Sequence, residues 1–96
     1  ETFGQRIKRL REKNDVTQGA LADRCGISGG YLSRIESGEN DPPAEAVIRT
    51  MASTLGAPVD ELLALAGRVP SDIVEWLVAD PTRIAAVRAL MVKGGK

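Results

Sequence analysis

Apolar residues recur at helical spacing almost everywhere along this chain, and no stretch alternates β-branched with polar residues, so the pattern predicts an all-α protein. Phe3, Ile7 and Leu10 share one face of a first helix running near Thr2 to Lys13, with basic residues on the other faces, and Asn14 and Asp15 end it. Thr17 can cap a second helix, whose stripe of Leu21, Ala22 and Cys25 stops at Gly26, a natural left-handed stop. Only Gly26 and Ile27 then separate it from Ser28, which can cap a third helix with Leu32 and Ile35 inward and Gly38 at its close.

The polar, proline-bearing loop "ENDPP" precedes a fourth helix marked by Val47, Ile48, Met51, Ala52 and Leu55 and ended by Gly56. A fifth runs from Pro58 to Ala66 with Leu62, Leu63 and Leu65, and Gly67 to Pro70 reads as a hinge. Two short amphipathic helices are predicted beyond it. "SDIVEWLVA" is expected to be capped by Ser71, and "DPTRIAAVRALMV" starts with Asp80 as cap and Pro81 at its first position. The terminal "KGGK" is expected to fray.

Length and charge narrow the function classes. Ninety-six residues suit one small domain, which buries a modest share of its surface and gains stability from a partner or a second copy. Thirteen basic and thirteen acidic residues balance, but residues 5–13, "QRIKRLREK", hold five basic residues against Glu12 alone, while residues 39–96 hold eight acidic and six basic. The amino-terminal part is therefore the one that attracts an anion. A lone cysteine, Cys25, cannot form an internal disulfide, and the chain has neither a secretory apolar segment nor a run long enough to span a bilayer, so a reducing cytoplasm is expected. Glu1 is not an initiator methionine, and a fragment of a longer product is expected. With no histidine, no cysteine pair, no glycine-rich phosphate loop after a strand and no evident carboxylate pair, no enzymatic chemistry is recognisable, and neither metal nor cofactor is expected.

Helix, tight glycine turn, helix is the device that places one short helix in a DNA major groove while its predecessor braces it across the backbone. The stretch "TQGALADRCGISGGYLSRIESGE" adds detail: threonine-glutamine, leucine-alanine, glycine-isoleucine-serine, leucine-serine, isoleucine-glutamate and glycine fall at set intervals. In these residues the chain resembles the helix-turn-helix of the Cro and phage-repressor family, also called the XRE family. The resemblance implies a five-helix lambda-repressor-like DNA-binding domain over residues 1–67, with its motif at about 17–37. Residues 68–96 fall outside it, as a short C-terminal helical extension.

The implied function is sequence-specific binding of double-stranded DNA to regulate transcription, with a repressor acting as a homodimer on a palindromic operator as the expected form. Position by position, the resemblance puts Ser28, Gly29, Gly30 and Arg34 against base edges. It places Thr17 and Gln18 on a phosphate, Tyr31 and Ser33 near the sugar-phosphate rim, and Asn40 within reach of a phosphate. Arg6 and Arg9 are candidate phosphate neighbours, with a solvated helix face as the plainer reading. Arg11 and Glu36 match a pair that joins the first helix to the third, so both are read as structural. Cys25 is expected to be a small core residue.

Glycine near a helix start costs up to about 1 kcal/mol relative to alanine, yet two stand together at 29 and 30. They remove two base readers while letting the backbone and Ser28 approach DNA closely, which leaves direct reading mainly to Arg34; relief of crowding at a helix start is the plainer reading. Glu39 and Asp41, where relatives often carry basic residues, imply moderate phosphate affinity and a need for a second subunit. Ile73, Val74, Trp76, Leu77 and Val78, with Ile84, Val87, Leu90 and Met91, either fold back onto helix five or pair between chains, and pairing is favoured. The alternative function is an antitoxin or protein-interaction module that uses these C-terminal helices to hold a partner protein.

Overall fold

A computed structural model of the chain describes residues 1–95 as seven helices: α1 (Phe3–Lys13), α2 (Gln18–Cys25), α3 (Gly29–Ser37), α4 (Glu45–Leu55), α5 (Val59–Leu65), α6 (Ser71–Val78) and α7 (Pro81–Gly95). Their limits are set locally. Thr2 caps α1 reciprocally with Gln5: the Thr2 hydroxyl accepts from the Gln5 amide at 3.1 Å, and the Gln5 side chain accepts from the Thr2 amide at 2.9 Å. The Thr17 hydroxyl accepts from the Ala20 amide and the Ser28 hydroxyl from the Tyr31 amide, so α2 and α3 each start on a side-chain cap. Gly26 and Gly38 close those helices with φ of +68° and +87°, a region where a Cβ is strained.

The first five helices enclose one core. Phe3 and Ile7 of α1, Leu21 and Ala22 of α2, Leu32 and Ile35 of α3, Ile48, Met51, Ala52 and Leu55 of α4, and Leu62 and Leu63 of α5 are all buried. Burying each of the larger side chains among them is worth about 1.5–3 kcal/mol, so this cluster is what fixes α3 relative to α1 and α2. Cys25 packs half-buried against it, and burial pushes its thiol up, which leaves it protonated at neutral pH.

Beyond Gly67 the organisation changes. From Ser71 to Gly94 no residue is buried, and α6 and α7 pack chiefly against each other. They do not fold back onto α5 as a covered apolar face: Trp76, Val78, Leu90, Met91 and Val92 are each more than half exposed. The Cα radius of gyration is 15.8 Å, against about 12–13 Å for a compact chain of this length, because this helical pair projects from the five-helix body.

Two expectations for the extension need correction. Ser71 is not the cap of α6; Pro70 holds that position without a side-chain bond, and the Ser71 hydroxyl donates instead to the Glu45 carboxylate at 2.9 Å. The "KGGK" tail remains helical through Gly95, with Lys96 outside the described residues, and α7 is a 15-residue helix whose exposed apolar residues do not form one narrow stripe. Asp80 does cap α7, accepting from the Thr82 amide at 3.0 Å. No helix among the described residues is long and apolar enough to cross a membrane.

Candidate nucleic-acid interface

The outer face of α3 is open to solvent. Ser28, Gly29, Gly30, Ser33 and Arg34 are exposed, and Tyr31 is half-buried against the core. At Gly29 a Cβ would meet nothing within 4 Å, and at Gly30 only the Arg34 Nη1 at 3.4 Å, an ordinary contact with the end of a flexible side chain. Neither glycine takes a positive φ. Hence crowding inside the chain does not require these glycines, and the bare surface they create faces outward. The same distance locates Arg34: its side chain runs back along the helix, as helical side chains do, and holds its guanidinium over Gly30. Ser28 uses its hydroxyl oxygen to accept from Tyr31, which leaves its own hydrogen available to donate outward.

Behind this face lies a three-helix lock. Arg11 of α1 donates from Nε and Nη2 to the two carboxylate oxygens of Glu36 at 2.8 and 3.0 Å, and from Nη1 to the Val16 carbonyl at 3.1 Å. The Arg11 and Glu36 side chains are 12% and 5% exposed, so the pair is shielded from water, and Glu36's bond holds the guanidinium charged by raising its pKa further. Gln18 joins from α2, its Nε2 donating to Glu36 Oε1 at 3.2 Å. One amide hydrogen of Gln18 thus points inward and fixes the side chain, while the second is left for an outside acceptor such as a phosphate oxygen.

Lys8, Arg11, Gln18, Ser33, Glu36 and Ser37 line a groove of about 310 Å³ between α1 and α3. Because Glu36 neutralises Arg11, Lys8 supplies the charge that would attract an anion there. The sequence alone points to Arg6 and Arg9 instead. The structure brings neither to this groove: both pair with Glu1, Arg6 also reaches Glu61 of α5 at 3.3 Å, and hydrogen bonds from Arg9 first and Arg6 second pull the Glu1 carboxyl down to about 2. The reason is helical phase. Gly4 of α1 abuts α3, so residues near its angle, Lys8 and Arg11, flank α3, while Arg6 turns toward α5. Lys8 was visible only as one cation among five; the phase relative to Gly4 would have selected it.

Thr17 is exposed at the start of α2, and Asn40 is half-buried in the loop after α3, its amide donating to the Arg34 carbonyl at 3.1 Å. Glu39 and Asp41 flank it, both exposed.

Two helices joined by a glycine turn, the second open along its outer side and locked to α1 from behind, define a helix-turn-helix domain. The chain belongs to the family described as "Helix-turn-helix domain", which matches residues 2–65, and within it to the XRE type. It is similar to the HTH-type transcriptional repressor RghR of Bacillus subtilis, 36% identical over 72% of this chain and 51% of that protein. The solved N-terminal DNA-binding domain of SinR from Bacillus subtilis has the same fold, with a TM-score of 0.58 and 31% identity over 64% of this chain and 88% of that one. A structure of the SinR protein/SinI protein complex aligns with 97% of this chain and 82% of its own, at a TM-score of 0.59 and 28% identity. The chain spans about half the length of the curated relatives it matches.

Proposed function

We propose that this chain is a transcriptional repressor that reads duplex DNA with α3, and that it does so as a homodimer on a palindromic operator. The observation that carries the reading is the Arg34 guanidinium held over an outward glycine pair. An arginine bidentate to guanine O6 and N7 is the commonest specific contact, worth about 1–3 kcal/mol against a wrong base, and a surface without Cβ atoms lets the helix start approach the groove floor. Thr17, Gln18, Ser33, Tyr31 and Asn40 supply neutral donors to the backbone, with Lys8 as the charged one. Such contacts set register rather than sequence. The relatives named as repressors support the direction of regulation.

The dimer rests on the exposed apolar residues of α6 and α7, which need cover, and on the weak phosphate attraction left by Glu39 and Asp41, which makes two engaged half-sites worth far more than one. A second reading is favoured by the same residues: cover by a different protein, as the likeness to a complex of SinR with another protein allows.

Selection of bound duplexes from a randomised pool tests both. The proposed function yields one two-fold symmetric motif, and Arg34→Ala flattens preference at one base pair per half-site while weak binding persists. A uniform loss of affinity with specificity intact would make Arg34 a phosphate contact. A protein that enriches nothing is an interaction module.

A further inference from the structure

The loop between α3 and α4 is held at both ends. At its start the Asn40 backbone N–H ties it to the last turn of α3 through the Arg34 carbonyl. Toward its end Pro42 and Pro43 have no N–H, so their backbone can only accept hydrogen bonds. Arg68 supplies them from a half-buried position: Nη2 donates to the Pro42 carbonyl at 3.1 Å and Nη1 to the Pro43 carbonyl. A planar guanidinium suits this task because its rigid fork meets two neighbouring acceptors at once.

The direction of Arg68 is fixed in turn by its backbone. Gly67 takes φ +75°, its amide donates to the Ala64 carbonyl at 2.9 Å, and the Arg68 amide donates to the Leu63 carbonyl at 2.9 Å, the paired bonds of a Schellman stop on α5. Three residues on, Ser71 donates its amide and its hydroxyl to the Glu45 carboxylate at 3.2 and 2.9 Å. The segment leaving α5 therefore grips the α3–α4 loop and the start of α4 from behind.

We infer that Arg68 is a positioning residue for DNA binding: by gripping the Pro42 and Pro43 carbonyls it fixes how Asn40 is presented to the DNA backbone. It thereby makes that presentation depend on the segment that leads into α6. The inference rests on the DNA-reading function proposed above. Only Asp41 lies between Asn40 and the first gripped residue, so little slack is left, and a loop ordered beforehand loses less freedom on binding.

The test uses the full chain and the duplex it selects from a random pool. Arg68→Met is expected to weaken binding to that duplex about three- to tenfold, as for loss of one ordinary hydrogen bond, with base preference opposite Arg34 unchanged. In an Asn40→Ala background the same substitution should change affinity little. Arg68→Lys, which keeps the charge without the fork, should fall between wild type and Arg68→Met. Affinities are measured on the titrated active fraction well below the melting temperature, so a variant that is merely less stable reads as unchanged. That result overturns the inference, as does an equal loss in the Asn40→Ala background. A wild-type chain that selects no duplex overturns the DNA-reading function first, and the inference with it.

Discussion

Gly4 of α1 lies directly against the Ile35 carbonyl of α3: a Cβ at Gly4 would overlap that oxygen and stand 2.7 Å from the Glu36 carbonyl oxygen. Backbone atoms cannot swing aside as a side chain can. Gly4→Ala must therefore part α1 from α3, and a loss of about 1–3 kcal/mol is expected in urea denaturation. Because α3 carries the proposed reading face, DNA affinity should fall as well, even at temperatures where the variant is fully folded. Wild-type stability in this variant would mean that the two helices are not in contact at Gly4.

Arg11 and Glu36 should behave as one unit. Removing either partner leaves the other charged and shielded, so Arg11→Met and Glu36→Met are each expected to cost about 3–5 kcal/mol, and the double variant much less than their sum. Glu36→Met also releases Gln18, so it should lower DNA affinity more than its stability loss accounts for. Additive losses in thermal or urea melts would show that the pair is not formed in solution.

At Gly30 stability and affinity should move in opposite directions. The added methyl of Gly30→Ala meets only the tip of Arg34, so the helix gains at most about 1 kcal/mol, while on the proposed function operator binding should weaken because the methyl would stand where DNA is proposed to approach. Melting and binding curves on the same preparation decide this. Equal affinity for both proteins would remove the case for close approach at that position.

Acid should loosen α6 from the body. Hydrogen bonds from Arg49 first and Ser71 second hold the Glu45 carboxyl below its ordinary value of 4.5. A depressed value means that the folded state favours the carboxylate, so this contribution is complete above the ordinary value and is lost as pH falls through the lowered one. Hydrogen exchange of the α6 amides should accelerate over that range, and Glu45→Gln should abolish the dependence. Because Glu1 and Asp80 are also held low, a variant that keeps the full acid response would assign it to them.

Dimerisation through the extension is tested at Leu90 and Met91, which are 67% and 62% exposed. Leu90→Glu should leave the melting of the five-helix body unchanged, shift sedimentation from dimer to monomer, and weaken binding to a full palindrome about a hundredfold with single half-site affinity retained. A dimer that survives both Leu90→Glu and Met91→Glu is built elsewhere, and the partner-protein reading of α6 and α7 then gains.

What the sequence makes legible here is what depends on neighbours along the chain. Thr17, Ser28, Gly26, Gly38 and Gly56 mark helix ends because caps and left-handed stops act within one turn, and the core stripes follow from periodicity. The Arg11–Glu36 pair was accessible through family resemblance, since nothing local joins residues 25 positions apart. The misses share one cause. Ser71 has the composition of a cap, but Glu45, distant in sequence, takes its hydroxyl. Gly4 looks like an unremarkable helix position until α3 is laid against it, and without that contact the rotational phase separating Lys8 from Arg6 and Arg9 has no reference. Arg68 is one more charge in a hinge until the two proline carbonyls are placed before it.

The extension's exposed indole also gives the molecule a natural optical division. Trp76 is the chain's single tryptophan, on the projecting helical pair, and Tyr31 its single tyrosine, in α3. Arg83 lies 4.3 Å from the Trp76 ring centroid, and the residue is more than half exposed to water. Fluorescence excited at the indole band therefore reports coverage of the tail: a blue shift accompanies assembly or a partner there. Unlabelled protein can thus report association through the tail by its own indole emission.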